Sequence, residues 1–110
     1  MLFALWTMAC LGKVETAEDF EVAYADSQCH AYRQCHRSLF DGKYDGMTDC
    51  QERLSQTFAE ENQTLFGECQ FQADKANECI EAINMATCGE LWTDEQSLYS
   101  ACHEAVWECQ

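Results

Sequence analysis

The sequence predicts an all-α fold, a small disulfide-bonded four-helix domain, and three observations carry that expectation. Apolar residues recur at spacings of three, four and seven along most of the chain, and no segment sustains period-two alternation. Nine residues are cysteine, and most of them fall on the apolar stripes. Cysteine at this density in so short a chain points to a disulfide scaffold in an oxidising compartment, because thiols in a reducing one gain no covalent stabilisation.

The chain divides at its start. Residues 1–10, Met1-Leu2-Phe3-Ala4-Leu5-Trp6-Thr7-Met8-Ala9-Cys10, form an apolar run with the length of a signal-peptide core and too few residues to span a bilayer as a helix. Residues 11–16 read as a tether and 17–110 as the folded domain. Thr16 followed by Asp19 marks a helix start, and Phe20, Tyr24, Ala31, Tyr32, Cys35 and Leu39 carry a first helix over 17–39. The two glycines of Asp41-Gly42-Lys43-Tyr44-Asp45-Gly46 end it. Thr48 with Gln51 forms a capping-box pattern for a second helix, of three turns, with Cys50, Leu54 and Phe58 on one face.

Residues 60–72 show no clear period and read as a loop with a short helical turn. Asp74 is the expected cap of a third helix whose stripe is Ala76, Cys79, Ile80 and Ile83 and which ends near Cys88-Gly89. Thr93 and Gln96 make a further capping box, and Leu98, Cys102, Ala105, Val106 and Cys109 supply the stripe of a fourth helix. Helix geometry limits the bridges. Cys29 and Cys35 would sit about 9 Å apart along one axis, beyond the reach of a disulfide, and the same holds for Cys102 with Cys109 and Cys79 with Cys88. Each bridge must join different elements, and Cys35 to Cys50 is the favoured pair, since the first turn brings those helix ends together.

Twenty acidic against six basic residues give a formal net charge of -14, which disfavours nucleic acid or anionic lipid as the main partner. A hydrophobic fraction of 47% excludes a disordered acidic tail, and the length allows one domain with a core too small for a large pocket.

The odd cysteine count singles out Cys10. Thr7-Met8-Ala9-Cys10 resembles a bacterial lipobox, in which a small residue precedes the cysteine that is lipidated and becomes the mature N-terminus. Thr7 stands where that motif carries an aliphatic residue, and no Lys or Arg precedes the apolar run. With Cys10 as a lipid anchor, Cys29, Cys35, Cys50, Cys69, Cys79, Cys88, Cys102 and Cys109 form four bridges with none left over. The alternative is simple secretion with cleavage near Cys10. Beyond this, Cys29-x5-Cys35, Cys50-Gln51-Glu52-Arg53-Leu54 and Cys79-Ile80-Glu81-Ala82-Ile83 leading to Thr87-Cys88 resemble the small cysteine-rich helical lipoproteins of myxobacteria and related bacteria. That resemblance implies an exported, lipid-anchored helical domain and no defined activity.

Residues 41–52, preceded by Ser38-Leu39-Phe40, resemble a calcium-binding EF-hand loop. The expected ligands are Asp41, Asp45, Met47, Asp49 and Glu52, with Gly46 at the sixth position. Lys43 occupies a ligand position and Thr48 replaces the usual aliphatic residue. The competing reading is a plain turn followed by a helix cap. His30, His36 and His103 each follow a cysteine, yet the close pairs of a zinc site are missing, and their place one step around the helix puts them at the core margin. Cys69-x9-Cys79-x8-Cys88 resembles the second half of insect odorant-binding proteins, which implies a hydrophobic-ligand carrier lined by Phe58, Phe66, Phe71, Trp92, Tyr99 and Trp107. The first half departs, because five residues separate Cys29 from Cys35 where that family has three.

No C-x-x-C pair, G-x-S-x-G elbow, glycine-rich phosphate loop or H-E-x-x-H motif occurs. The expectation is therefore a non-catalytic binding or structural module of a cell envelope, at the outer membrane or cell surface, or free in the periplasm or outside. It has no cofactor unless calcium fills the 41–52 loop. Its partner is an unknown protein or envelope component, and it meets the membrane only through a lipid anchor.

Overall fold

A computed structural model describes residues 13–93, 102 and 105–109, with the backbone alone at 91–93. The fold is mostly helical, with five helices and one short β-ribbon among the described residues. These are α1 (Ala17–Cys35), α2 (Arg37–Lys43), α3 (Met47–Phe66), β1 (Gln70–Phe71), α4 (Ala73–Met85), α5 (Cys88–Thr93) and β2 (Trp107–Glu108). Four disulfides cross-link them: Cys29–Cys50, Cys35–Cys88, Cys69–Cys109 and Cys79–Cys102.

The start of α1 is as expected. Asp19 N–H donates to Thr16 Oγ1 at 3.1 Å and Thr16 N–H donates back to Asp19 Oδ2 at 3.2 Å, so two helix-end donors are satisfied reciprocally. The end differs. The predicted first helix breaks at His36, whose backbone leaves the helical region and caps α1 through a bond to the Tyr32 carbonyl at 2.8 Å. On an unbroken helix Phe40 would lie about 16 Å along the axis from Cys29. The bend instead folds Phe40 and Tyr44 back beside Tyr32, with ring centroids 6.1 and 6.3 Å away, into one cluster with Cys29 and Cys50. Burial of two aromatic rings outweighs the helical bonds lost at one residue, and neither glycine nor proline marks the place.

The second helix is longer than the sequence suggests. Its stripe continues in steps of four through Cys50, Leu54, Phe58, Asn62 and Phe66, with a buried amide in it that reads as a loop residue. Thr48 does not cap this helix. Gly46 occupies that place at φ 155° and ψ -175°, backbone that side-chain-bearing residues rarely adopt, and Gln51 Nε2 turns to Asp26 Oδ1 on α1. Asp74 likewise falls inside the first turn of α4, behind the N-cap Gln72. A further capping box starts α5, where the sequence predicts the third helix still running. There Thr87 N–H donates to Glu90 Oε1 at 2.8 Å and Glu90 N–H to Thr87 Oγ1 at 3.2 Å.

Thr93 ends α5, and Gln96, Leu98 and most of the expected fourth helix lie outside the described residues; its stripe residues Cys102 and Ala105 are helical, whereas its end at 106–109 is not. Residues 107–108 pair antiparallel with 70–71, Phe71 opposite Trp107, and Gln72 N–H reaches the Val106 carbonyl at 2.9 Å. The ring of Trp107 stacks on Phe66 at 5.6 Å and packs on Phe71 at 5.2 Å, which anchors this extended segment beside the Cys69–Cys109 bridge.

The helix α1 is central. Contacts of Tyr24 with Phe58, Cys29 with Cys50 and Glu21 with Asn62 show α3 running antiparallel to it. Val14 bonds Asn77 early in α4 and Cys35 is tied to Cys88 just beyond it, so α4 follows the direction of α1. The main core between them contains Phe20, Tyr24, Ala76, Cys79, Ile83 and Val106, and a second cluster surrounds Cys29–Cys50.

Candidate functional site

The favoured Cys35–Cys50 bridge is not formed. Cys50 in the first turn of α3 pairs with Cys29, both of them fully buried, and Cys35 reaches past the bend to Cys88. The reason is the break at His36. The turn that was expected to carry Cys50 to the end of α1 is preceded by a separate short helix, which brings α3 in beside Cys29, six residues earlier. All four bridges do join different elements, and none of the three pairs excluded by helix geometry occurs. A tryptic digest without reduction checks this directly, because cleavage at Arg33, Arg37, Lys43 and Arg53 places Cys29, Cys35 and Cys50 on separate peptides. Peptide 14–33 is expected bound to 44–53, and peptide 34–37 to 76–110. A 34–37 peptide bound to 44–53 would overturn this connectivity.

The candidate calcium ligands sit on three separate elements. Asp41 lies on α2 with its carboxylate 3.4 Å from Arg37 Nε, Asp45 is in the connecting turn, and Met47, Asp49 and Glu52 lie on α3. Asp49 Oδ2 accepts from the Asp45 backbone N–H at 3.0 Å and lies 3.3 Å from an Arg53 guanidinium nitrogen. Met47, as the first residue of a helix, commits its carbonyl to the helical pattern, and its side chain packs on the Cys29–Cys50 cluster. Carboxylates held by arginine and by a backbone amide are less available to a cation. Among the described residues no group of three or more His, Cys, Asp and Glu side chains is placed to hold a metal ion. Millimolar calcium is expected to move the thermal midpoint by less than about 1 °C. A saturable rise that Asp41→Ala abolishes would establish the loop as a site.

The same lobe has its own electrostatic character. Residues 33–53 hold four basic side chains, Arg33, Arg37, Lys43 and Arg53, against four acidic ones, Asp41, Asp45, Asp49 and Glu52, so the whole formal charge of -14 falls on the rest of the chain. Two of the cations lie against Tyr44, with Lys43 Nζ 5.6 Å and Arg53 Cζ 4.9 Å from its ring centroid, and Arg53 also donates to the Lys43 carbonyl at 3.0 Å. His30 is exposed, with Nε2 3.4 Å from Asp26 Oδ1, and His36 is half-buried beside Tyr32 at 6.2 Å between ring centroids. The third histidine, His103, lies outside the described residues, as does Cys10.

Of the aromatic residues expected to line a ligand cavity, the four that are described, Phe58, Phe66, Phe71 and Trp107, pack on one another or on the core. Phe58 lies 4.8 Å from Tyr24, Phe71 lies 6.0 Å from Phe20, and Phe66 and Trp107 stack. The Trp92 side chain and Tyr99 lie outside the described residues.

Two polar features inside the fold have no clear signal in the sequence. Asn62, first residue of the triplet Asn62-Gln63-Thr64, is 4% exposed and donates its Nδ2 to Glu21 Oε2 at 3.0 Å, so the folded chain offers no free amide for a glycan at this sequon. Asn77 holds residue 14 from both sides. Its Oδ1 accepts from the Val14 N–H and its Nδ2 donates to the Val14 carbonyl, each at 2.9 Å, while the Val14 side chain is 6% exposed in the main core. Part of the expected 11–16 tether is therefore docked. Leu11 and Val14 are too few apolar residues in this short stretch to give a periodicity that marks it as part of the domain.

No described helix is long and apolar enough to cross a membrane, and a fold held by four disulfides belongs in an oxidising compartment. No protein-family model matches this chain, and no curated protein or solved structure matches it either.

Proposed function

We propose that this protein is a non-catalytic, exported and lipid-anchored binding or structural module of a cell envelope. The observation that carries the reading is the use of the cysteines. Eight of the nine are consumed in four bridges between elements, and the ninth, Cys10, stands apart from that scaffold in sequence at the end of the apolar leader-like run, where an attachment point is expected. The resemblance to small cysteine-rich lipoproteins points the same way. Bridges that close loops of 21 to 53 residues each stabilise a small domain by about 3–4 kcal/mol in the chain-entropy account, which suits a module that must survive outside the cell with a strongly self-repelling surface. The acidic exterior favours a protein or other envelope component over nucleic acid as its partner.

The test is the intact mass and N-terminal peptide of the native protein, before and after reduction. The expected result is a mature chain that starts at Cys10 carrying acyl groups and that gains eight hydrogens on reduction. A mature N-terminus without lipid overturns the anchor, and free thiols at most of the eight positions overturn the scaffold.

A further inference from the structure

The segment just after Cys10 bears on how an anchored domain would stand. Val14 is bonded at both its N–H and its carbonyl to Asn77 and buries its side chain among the residues of α1 and α4. From Val14 onward the chain belongs to the domain, and only residues 11–13 remain between it and Cys10. Four Cα steps of extended chain reach at most about 14 Å. A free linker would let the domain tumble over the surface, whereas this one is too short to allow it.

Resting on the anchor proposed above, we propose that the domain is held flush against the lipid surface in one orientation, with the docked segment at Val14 as its foot. The pole around the foot comprises the start of α1 and the first turn of α4. It presents Glu15, Glu18, Asp19 and Asp74 with Lys13 and Lys75, all exposed. Such a pole rests in the headgroup water and does not sink into the acyl region, because burying those carboxylates would cost far more than contact returns. The opposite pole is the neutral lobe of α2 and the start of α3. Tyr44 lies beside Tyr32, about 22 Å along the α1 axis from Ala17, so Lys43 next to it is carried away from the membrane and faces any partner.

The three lysines report this directly, since Lys13 and Lys75 lie at the foot and Lys43 at the far pole. The full chain is expressed with its leader in a lipoprotein-processing bacterial host and reconstituted into phosphatidylethanolamine–phosphatidylglycerol vesicles. It is then labelled with an amine-reactive ester coupled to dextran, too bulky to enter the gap beneath the domain. A second protein carries an insert of about twelve Gly and Ser residues between Leu11 and Gly12, with a root-mean-square span of about 19 Å. The expected ratio of Lys75 to Lys43 labelling is at least about fivefold lower in the wild type than in the spacer variant, whose domain can lift and turn. Equal ratios on vesicle-bound, acylated protein overturn the orientation while leaving the anchor intact. A native mass without acyl groups overturns both.

The docking has its own readout in detergent solution. Trypsin must pull Val14 off Asn77 to cut after Lys13, so Asn77→Ala is expected to speed that cleavage about tenfold with cleavage after Arg33 and Arg37 unchanged. Where Asn77→Ala loses its four-bridge map, Asn77→Asp takes its place, keeping the acceptor for the Val14 N–H and losing the donor to its carbonyl. Unchanged cleavage after Lys13 overturns the docked foot.

Discussion

Phe20→Ala is expected to destabilise the protein by about 3–5 kcal/mol, the usual cost of removing a fully buried phenylalanine whose site cannot collapse. The Phe20 ring has 0% exposure, lies 5.2 Å from Tyr24 on its own helix and 6.0 Å from Phe71 on β1, and belongs to the cluster that joins α1 to α4 and Val106. Its loss removes contacts on several elements at once. The disulfides hold those elements in place around the hole, so relaxation recovers little. Against a total stability of the order of 5–15 kcal/mol this is a large fraction. Guanidinium unfolding with the bridges intact measures it through the midpoint, and a change worth less than about 1 kcal/mol would show that Phe20 does not organise the core.

Removing the buried bridge, as the double variant Cys29→Ala with Cys50→Ala, is expected to cost about 3 kcal/mol in unfolded-chain entropy, with a further loss from the packing around two fully buried sulfurs. The cost should be concentrated in one lobe. Cys29 and Cys50 are the centre against which Phe40, Tyr44, Tyr32 and Leu54 pack, and among the described residues α2 joins no other cluster. Hydrogen exchange of α2 amides is therefore expected to accelerate strongly, with the amides of α4 much less affected. Equal acceleration in α2 and α4 would mean that the lobe does not depend on this bridge. The contrast with Cys35–Cys88 sharpens the test. That bridge closes the longer loop, 53 residues, yet Cys88 is exposed, so its removal should act mainly through the unfolded chain and not by loosening α2.

Several elements were legible in the sequence because short-range chemistry specifies them. The Thr16–Asp19 box, the stripe of Ala76, Cys79, Ile80 and Ile83, and the rule that no bridge forms within a helix follow from spacing and helix rise alone. The Thr87–Glu90 box has the same spacing, but the apolar stripe before it draws the predicted third helix on to Cys88. The candidate loop at 41–52 has the spacing of a calcium loop, but helices on both sides take up its first and last residues and Arg37 and Arg53 meet two of its carboxylates. Ligand spacing along a chain says nothing about which cations fold in beside it.

What the sequence determined by itself is the helical class, the covalent character of the fold and its acidic exterior, since periodicity, cysteine number and charge are properties of the chain. What only the tertiary structure decided is the break at His36, the pairing of Cys29 with Cys50, the docking of Val14 on Asn77 and the extended pairing of Trp107 with Phe71. Each of these depends on residues far apart in sequence competing for one buried space, and at each place the free energy of packing exceeds the local preference that a reading along the chain can detect.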